Sequence, residues 1–190
     1  MNRIAIFASG NGSNFEAIVN ACEKGRLDAR TVLCVCDHPG AYVTERAKRH
    51  GIRVVEFHPR SYASKKDYEE MLLEELKKEQ VDLICLAGYM RIIGETILAA
   101  YPERIMNIHP SLLPSFPGVD AIGQALSYGV KVFGVTVHFV DHTLDGGKII
   151  DQIAFHYEGN DREELETIVH AHEHPLYISS ISRLLPTLNK

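Results

Sequence analysis

Between residues 4 and 108, short strand-like runs alternate with amphipathic segments of helical spacing, and this alternation constrains the fold more than any other feature of the chain. The runs are residues 4–8, 31–36, 53–56, 81–87 and 104–108. The segments between them cover 14–24, 41–50, 66–79 and 95–101. In the first, Phe15, Ile18, Val19 and Cys22 share one helical face and Gly25 follows as a stop. In the third, Tyr68, Met71, Leu72 and Leu76 form the apolar stripe of a charged helix. The continuous apolar run 81–87 is the kind covered on both sides in a parallel sheet. The pattern predicts an α/β fold, an open, mostly parallel twisted sheet with helices on both faces. Later the pattern changes. Residues 121–128 read as a helix ended by Gly129, and 132–140 and 148–156 as long antiparallel strands joined by 141–147. Residues 161–185 read as helical, interrupted near Pro175. No repeat or linker divides the pattern, so one domain over 1–190 is expected.

Bulk properties exclude several classes. The chain has 190 residues, 45% hydrophobic and 24% charged, with a formal net charge of -5. That length can bury a full core, and the acidic balance argues against a broad nucleic-acid surface. A local anion site remains compatible with it. The N-terminus enters a strand pattern directly, without the segments of a signal peptide, and no apolar run reaches membrane-spanning length. The four cysteines, Cys22, Cys34, Cys36 and Cys85, form no C-x-x-C pair, and three of them lie in apolar runs, where they act as small hydrophobes. The expected compartment is cytoplasmic, with no membrane and no nucleic-acid partner.

In sheets of this kind ligands sit beyond the carboxyl ends of the strands, which nominates the loops after Ala8, Ala87 and Ile108. The first loop is Ser9-Gly10-Asn11-Gly12-Ser13-Asn14. Its small residues allow close backbone approach, and Ser13 or Asn14 can cap the helix whose first amides face an anion, most often phosphate. It is not a dinucleotide fingerprint, because Phe15 stands where the third glycine belongs, and no Gly-Lys-Ser/Thr makes it a Walker loop. A single phosphate, such as a phosphoribosyl group, fits best.

The third loop follows Asn107-Ile108-His109-Pro110-Ser111-Leu112-Leu113-Pro114. Residues two apart in a strand face one way, so Asn107 and His109 project together. Pro110 biases His109 toward extended geometry. An amide N–H and an imidazolium both stabilise a developing oxyanion, and the imidazole can move protons near neutral pH. Asp145, ahead of Gly146 and Gly147, supplies a carboxylate that near His109 would favour and orient its charged form. Asp-Gly is also ordinary turn chemistry.

These stretches, with Leu86-Ala87-Gly88-Tyr89-Met90-Arg91-Ile92, together resemble the folate-dependent phosphoribosylglycinamide formyltransferases of purine synthesis, from residue 3 to about 180. The Asn-x-His-Pro-Ser-Leu-Leu-Pro stretch with a later Asp-x-Gly is shared across users of 10-formyltetrahydrofolate, whereas the glycine loop is the narrower marker. The resemblance implies a Rossmann-like formyltransferase fold and formyl transfer from 10-formyltetrahydrofolate, as co-substrate, to the amine of 5'-phosphoribosylglycinamide. By position it implies that Gly12, Ser13 and Asn14 bind the phosphate and that Glu173 meets the ribose hydroxyls. It implies further that Lys65, Met90, Arg91, Ile92, Ile93 and Asn107 meet the folate, Arg91 through a folate carboxylate, and that Asn107, His109 and Asp145 are catalytic. Where related enzymes carry an arginine, this chain carries Lys65, which keeps the charge without the bidentate fork. A formyltetrahydrofolate hydrolase or methionyl-tRNA formyltransferase is the nearest rival, each expected to need a further domain. A non-catalytic phosphate-binding module is the rival from another class. Partners are expected to be the small-molecule substrates, for a monomer or homodimer.

Ten histidines raise the question of a metal. His170 and His174 stand at i, i+4 on the last helical segment, and His138 and His142 lie near Asp145 in sequence. Neither set has full ligand spacing, and no metal is expected.

Overall fold

The computed structural model describes residues 1–188. Its strands are β1 (Asn2–Ala8), β2 (Ala29–Cys36), β3 (Arg53–Glu56), β4 (Leu83–Leu86), β5 (Ile105–His109), β6 (Val132–Phe139) and β7 (Ile149–His156). The α-helices are α1 (Ser13–Glu23), α2 (Tyr42–Arg49), α3 (Lys65–Lys78), α4 (Glu95–Ala100), α5 (Ala121–Tyr128) and α6 (Arg162–Leu184). All seven strands form one sheet in the order β3-β2-β1-β4-β5-β6-β7. Strands β1 to β5 pair in parallel, while β6 and β7 join antiparallel at one edge, as the sequence pattern predicts. The chain builds outward from β1 to β3 and then returns to lay β4 on the other side of β1. That reversal opens a crevice at the carboxyl ends of β1 and β4.

Side chains alternate between two apolar layers. Ile4, Ile6, Cys34, Cys85, Met106, Ile108, Val135 and Val137 pack with Phe15, Ile18, Val43, Ile122 and Tyr177 on one face. Phe7, Leu33, Val35, Ile84, Leu86 and Ile105 pack with Tyr68, Leu72, Leu76 and Ile97 on the other. Cys34, Cys36 and Cys85 are buried and, like half-buried Cys22, are free thiols. Burial pushes the Cys34 thiol up to about 12, so it behaves as an inert core group. The second apolar cluster stops at Ile105 and Val140. By the two-residue strand period, Asn107 and His109 follow Ile105 on that same face, and their cross-strand partners on β6 are His138 and Thr136. Polar residues thus begin where this apolar layer ends.

The expected break near Pro175 is absent, and α6 runs unbroken from Arg162 to Leu184. An interior proline costs about 3 kcal/mol, because it lacks an N–H and crowds the preceding turn. Leu165 and Val169 before it and Leu176, Tyr177 and Ile181 after it are all buried. Burial is worth about 1.5–3 kcal/mol for each such side chain, which outweighs the proline. The Tyr177 hydroxyl, fully buried, lies 2.9 Å from the Leu86 carbonyl oxygen and 3.0 Å from that of Met106. It therefore ties α6 to the carboxyl ends of β4 and β5. No helix among the described residues is long and apolar enough to cross a membrane.

Candidate active site

A cavity of about 640 Å³ opens at the carboxyl ends of β1, β4 and β5. That is ample for a small-molecule ligand. One end is the glycine loop. Gly12 caps α1 in the left-handed region, at φ 79°, and a β-carbon there would stand 2.6 Å from Cγ2 of Val43. Glycine is thus required both by the backbone and by the close approach of α2. Neither Ser13 nor Asn14 caps the helix, contrary to the expectation from sequence, and the first-turn amides are left without a side-chain acceptor. Asn14 instead turns its amide toward α6, where Nδ2 donates to Oε2 of Glu173 at 3.1 Å. His170 Nδ1 reaches the same Glu173 oxygen at 2.7 Å. Glu173 is 5% exposed, so these two neighbours compensate a buried carboxylate. The bond to Glu173 raises the His170 pKa. Arg46 braces the loop from outside, donating to the backbone and side-chain oxygens of Asn11 at 2.9 and 3.0 Å.

The wall after β4 carries Met90 and Ile92, which are largely exposed at the mouth, and buried Ile93. Arg91 is held in place by Asp37, its Nε donating to Oδ2 at 2.9 Å. The other Asp37 oxygen accepts from the Ser9 hydroxyl at 2.5 Å, and Ser9 Oγ in turn accepts the Met90 N–H at 2.9 Å. Burial disfavours the charged Asp37 carboxyl, but hydrogen bonds from Ser9, Arg91 and His38 outweigh it and hold its pKa below the usual range. One carboxylate at the end of β2 thereby fixes the loops that follow β1 and β4. Lys65 does not line the cavity. Its Nζ lies 3.9 Å from Glu69 on the same helix.

Asn107, His109 and Asp145 meet at the third side. His109 is 5% exposed, with Nε2 2.8 Å from the Phe116 carbonyl oxygen and Nδ1 3.5 Å from Oδ2 of Asp145. Asp145 sits in the left-handed region at φ 49°, and its Oδ2 accepts the Gly118 N–H at 2.7 Å. Asp141 shapes the same loop by accepting from both the backbone N–H and the hydroxyl of Thr143. The contact between Asp145 and His109, which spacing alone could not give, is therefore made by folding loop 141–147 against residues 116–118.

Sequence reasoning missed three contributors. Asp37, one residue past the end of β2, belongs to no motif that marks it. The Phe116 carbonyl carries no side-chain signal. His138 is buried, with Nδ1 2.8 Å from the Phe139 carbonyl oxygen and Nε2 3.2 Å from Nδ2 of Asn107. The antiparallel pairing of 132–140 was legible, but its register against β5 was not. Of the histidines considered for a metal, His138 faces Asn107 and His142 lies 3.4 Å from Glu95. His170 bonds Glu173, and burial lowers the His174 pKa. Among the described residues no three His, Cys, Asp or Glu side chains gather as a metal site.

Residues 2–181 match the formyl transferase family. Over 100% of this chain and 98% of the relative, the sequence is 50% identical to a phosphoribosylglycinamide formyltransferase of Bacillus subtilis (strain 168). It is 34% identical to the enzyme of the same name from Escherichia coli (strain K12), over 94% of this chain and 85% of that one. Among solved structures, glycinamide ribonucleotide transformylase 1 from Geobacillus kaustophilus superimposes with a TM-score of 0.95 at 52% identity, covering 97% of this chain and 99% of that one.

Proposed function

The chain belongs to the formyl transferase family, and we propose that it transfers the formyl group of 10-formyltetrahydrofolate to the terminal amine of 5'-phosphoribosylglycinamide, a step of purine synthesis. The observation that carries this reading is one cavity with an uncapped, glycine-started helix at one end and Asn107, His109 and Asp145 at another. The first end suits a phosphate. The rim of Met90, Ile92 and Ile93 suits a flat pterin-type ring, and the remaining guanidinium N–H groups of Arg91 suit a folate carboxylate.

In this reading Gly12, Ser13 and Asn14 take the phosphate and Glu173 accepts from ribose hydroxyls. Lys65, outside the cavity wall, meets only the part of the folate that protrudes. The neutral amine attacks the formyl carbon, and its electron pair forms the new C–N bond while the carbonyl pair moves to oxygen. Asn107 donates to that oxyanion and His109, as imidazolium, stabilises it. The Phe116 carbonyl holds Nε2–H, so the ring is fixed and Nδ1 faces Asp145. The carboxylate, with a water, relays the proton lost by the amine to the departing folate nitrogen as the old C–N bond breaks. The protein works as one domain over 1–190, in the cytoplasm, as a monomer or homodimer, on small molecules.

The test is incubation with the formyl donor, with and without phosphoribosylglycinamide, following deformylated folate. Product only with the ribonucleotide supports this assignment. Product with water alone indicates a hydrolase, and no product a binding module.

A further inference from the structure

We propose that His138 is a positioning residue for Asn107, acting as an Nδ1–H imidazole whose Nε2 lone pair fixes which way the Asn107 amide faces. This rests on the reading above, in which the Asn107 amide donates to the oxyanion. The two residues are direct cross-strand partners in the β5–β6 ladder, so their side chains leave the same face of the sheet. The register shifts between Val137 and His138, placing this residue at an irregularity beside the site.

The direction of the hydrogen bond follows from chemistry. A carbonyl oxygen only accepts, so the Phe139 oxygen, 2.8 Å away, requires the proton on Nδ1. A neutral ring then has its lone pair on Nε2, and Nε2 only accepts. The Asn107 group 3.2 Å from it must therefore be the NH2 rather than the oxygen. One amide hydrogen is taken by His138, and the second N–H of the same planar group is the one left for a developing oxyanion. Without an acceptor at Nε2 the amide could rotate by half a turn, which would exchange an oxyanion donor for an acceptor that repels it.

Three titratable groups surround the ring. Asp145 Oδ1 lies 3.8 Å from Nε2, beyond hydrogen-bonding distance, and His109 and Asp141 are further neighbours. Burial is the largest influence and disfavours the charged ring, against the Phe139 carbonyl and the two carboxylates, so the net pKa is lowered. The neutral form that the geometry requires is thus the one present at neutral pH.

The test combines two substitutions with a spectrum. His138→Leu removes the acceptor and His138→Gln restores an uncharged one. The expected result is that His138→Leu lowers kcat about 10- to 100-fold with each KM within about twofold, that His138→Gln recovers most of the loss, and that His138→Leu has less than about a twofold further effect in an Asn107→Ala background. Equal losses in both backgrounds would overturn the proposal. In protein labelled with 15N-histidine, the His138 ring is expected to show a protonated Nδ1 and an unprotonated Nε2, and a protonated Nε2 would also overturn it, even if the variants do not fold. Undiminished kcat in Asn107→Ala would instead remove the oxyanion role of Asn107, while the spectrum decides the His138–Asn107 bond separately.

Discussion

The Nδ1 atom of His109 faces Oδ2 of Asp145 at 3.5 Å, while the same carboxylate oxygen is held by the Gly118 N–H at 2.7 Å. The separation is longer than a direct hydrogen bond, so the link is charge proximity or a shared water. The carboxylate is anchored by the backbone, not by the histidine.

Asp145→Asn keeps an acceptor for Gly118 and removes only the charge. It should lower kcat about 100-fold or more with little change in either KM, as should His109→Ala. The double variant should be little worse than either one, because in the proposed mechanism the pair acts as a unit. A loss under tenfold for either single change, in steady-state kinetics, would remove that residue from the mechanism.

Gly12→Ala places a side chain in the left-handed region and 2.6 Å from Val43. The strain should cost about 1–3 kcal/mol, read as a lower urea midpoint. Affinity for the phosphoribosyl substrate should fall more than affinity for the folate, since the glycine loop moves and the opposite wall does not.

Asp37 links stability to acid. Its folded pKa lies below its ordinary value of 3.8, so it stabilises the fold above that pH. The contribution is lost as pH falls through the lowered value. Asp37→Asn should therefore lower the urea midpoint near neutral pH and flatten the acid limb of the stability profile. It should also raise the KM for folate, because Arg91 loses its partner. An unchanged acid limb would show that the network adds no stability.

His170 has the opposite sign. Its pKa is raised above 6.5 by its bond to Glu173, so its stabilisation is fully present below 6.5 and is lost as pH rises through the folded value. The ring is 53% exposed, so solvent screens the effect and it should be small. Thermal melts on an ascending pH series should show a shallow decline that His170→Gln abolishes.

Tyr177→Phe removes the hydroxyl that bridges Leu86 and Met106. The single hydroxyl hydrogen that the two buried carbonyl oxygens share is then lost, at a cost of about 1–3 kcal/mol. Because those strand ends carry the site, kcat should fall a few-fold. A stability loss with unchanged kcat would confine Tyr177 to the core.

The alternation of apolar runs and amphipathic segments determined the layered sheet, its mostly parallel pairing and its late antiparallel edge, because strand and helix periods are local properties that survive without tertiary context. The same locality made Asn107 and His109 readable as a pair and residues 9–14 as a small-residue loop leading into a helix, although the cap expected at Ser13 or Asn14 falls at Gly12. Proline at 175 misled for a related reason, since its local cost is real but five buried side chains of α6 exceed it. Only the tertiary structure decided that Asp145 reaches His109, that Asp37 holds Arg91, and that His138 faces Asn107. Each of these joins residues from different strands or loops. Such pairings depend on register and loop packing, which arise from the balance of burial over the whole sheet and leave no periodic mark in the chain.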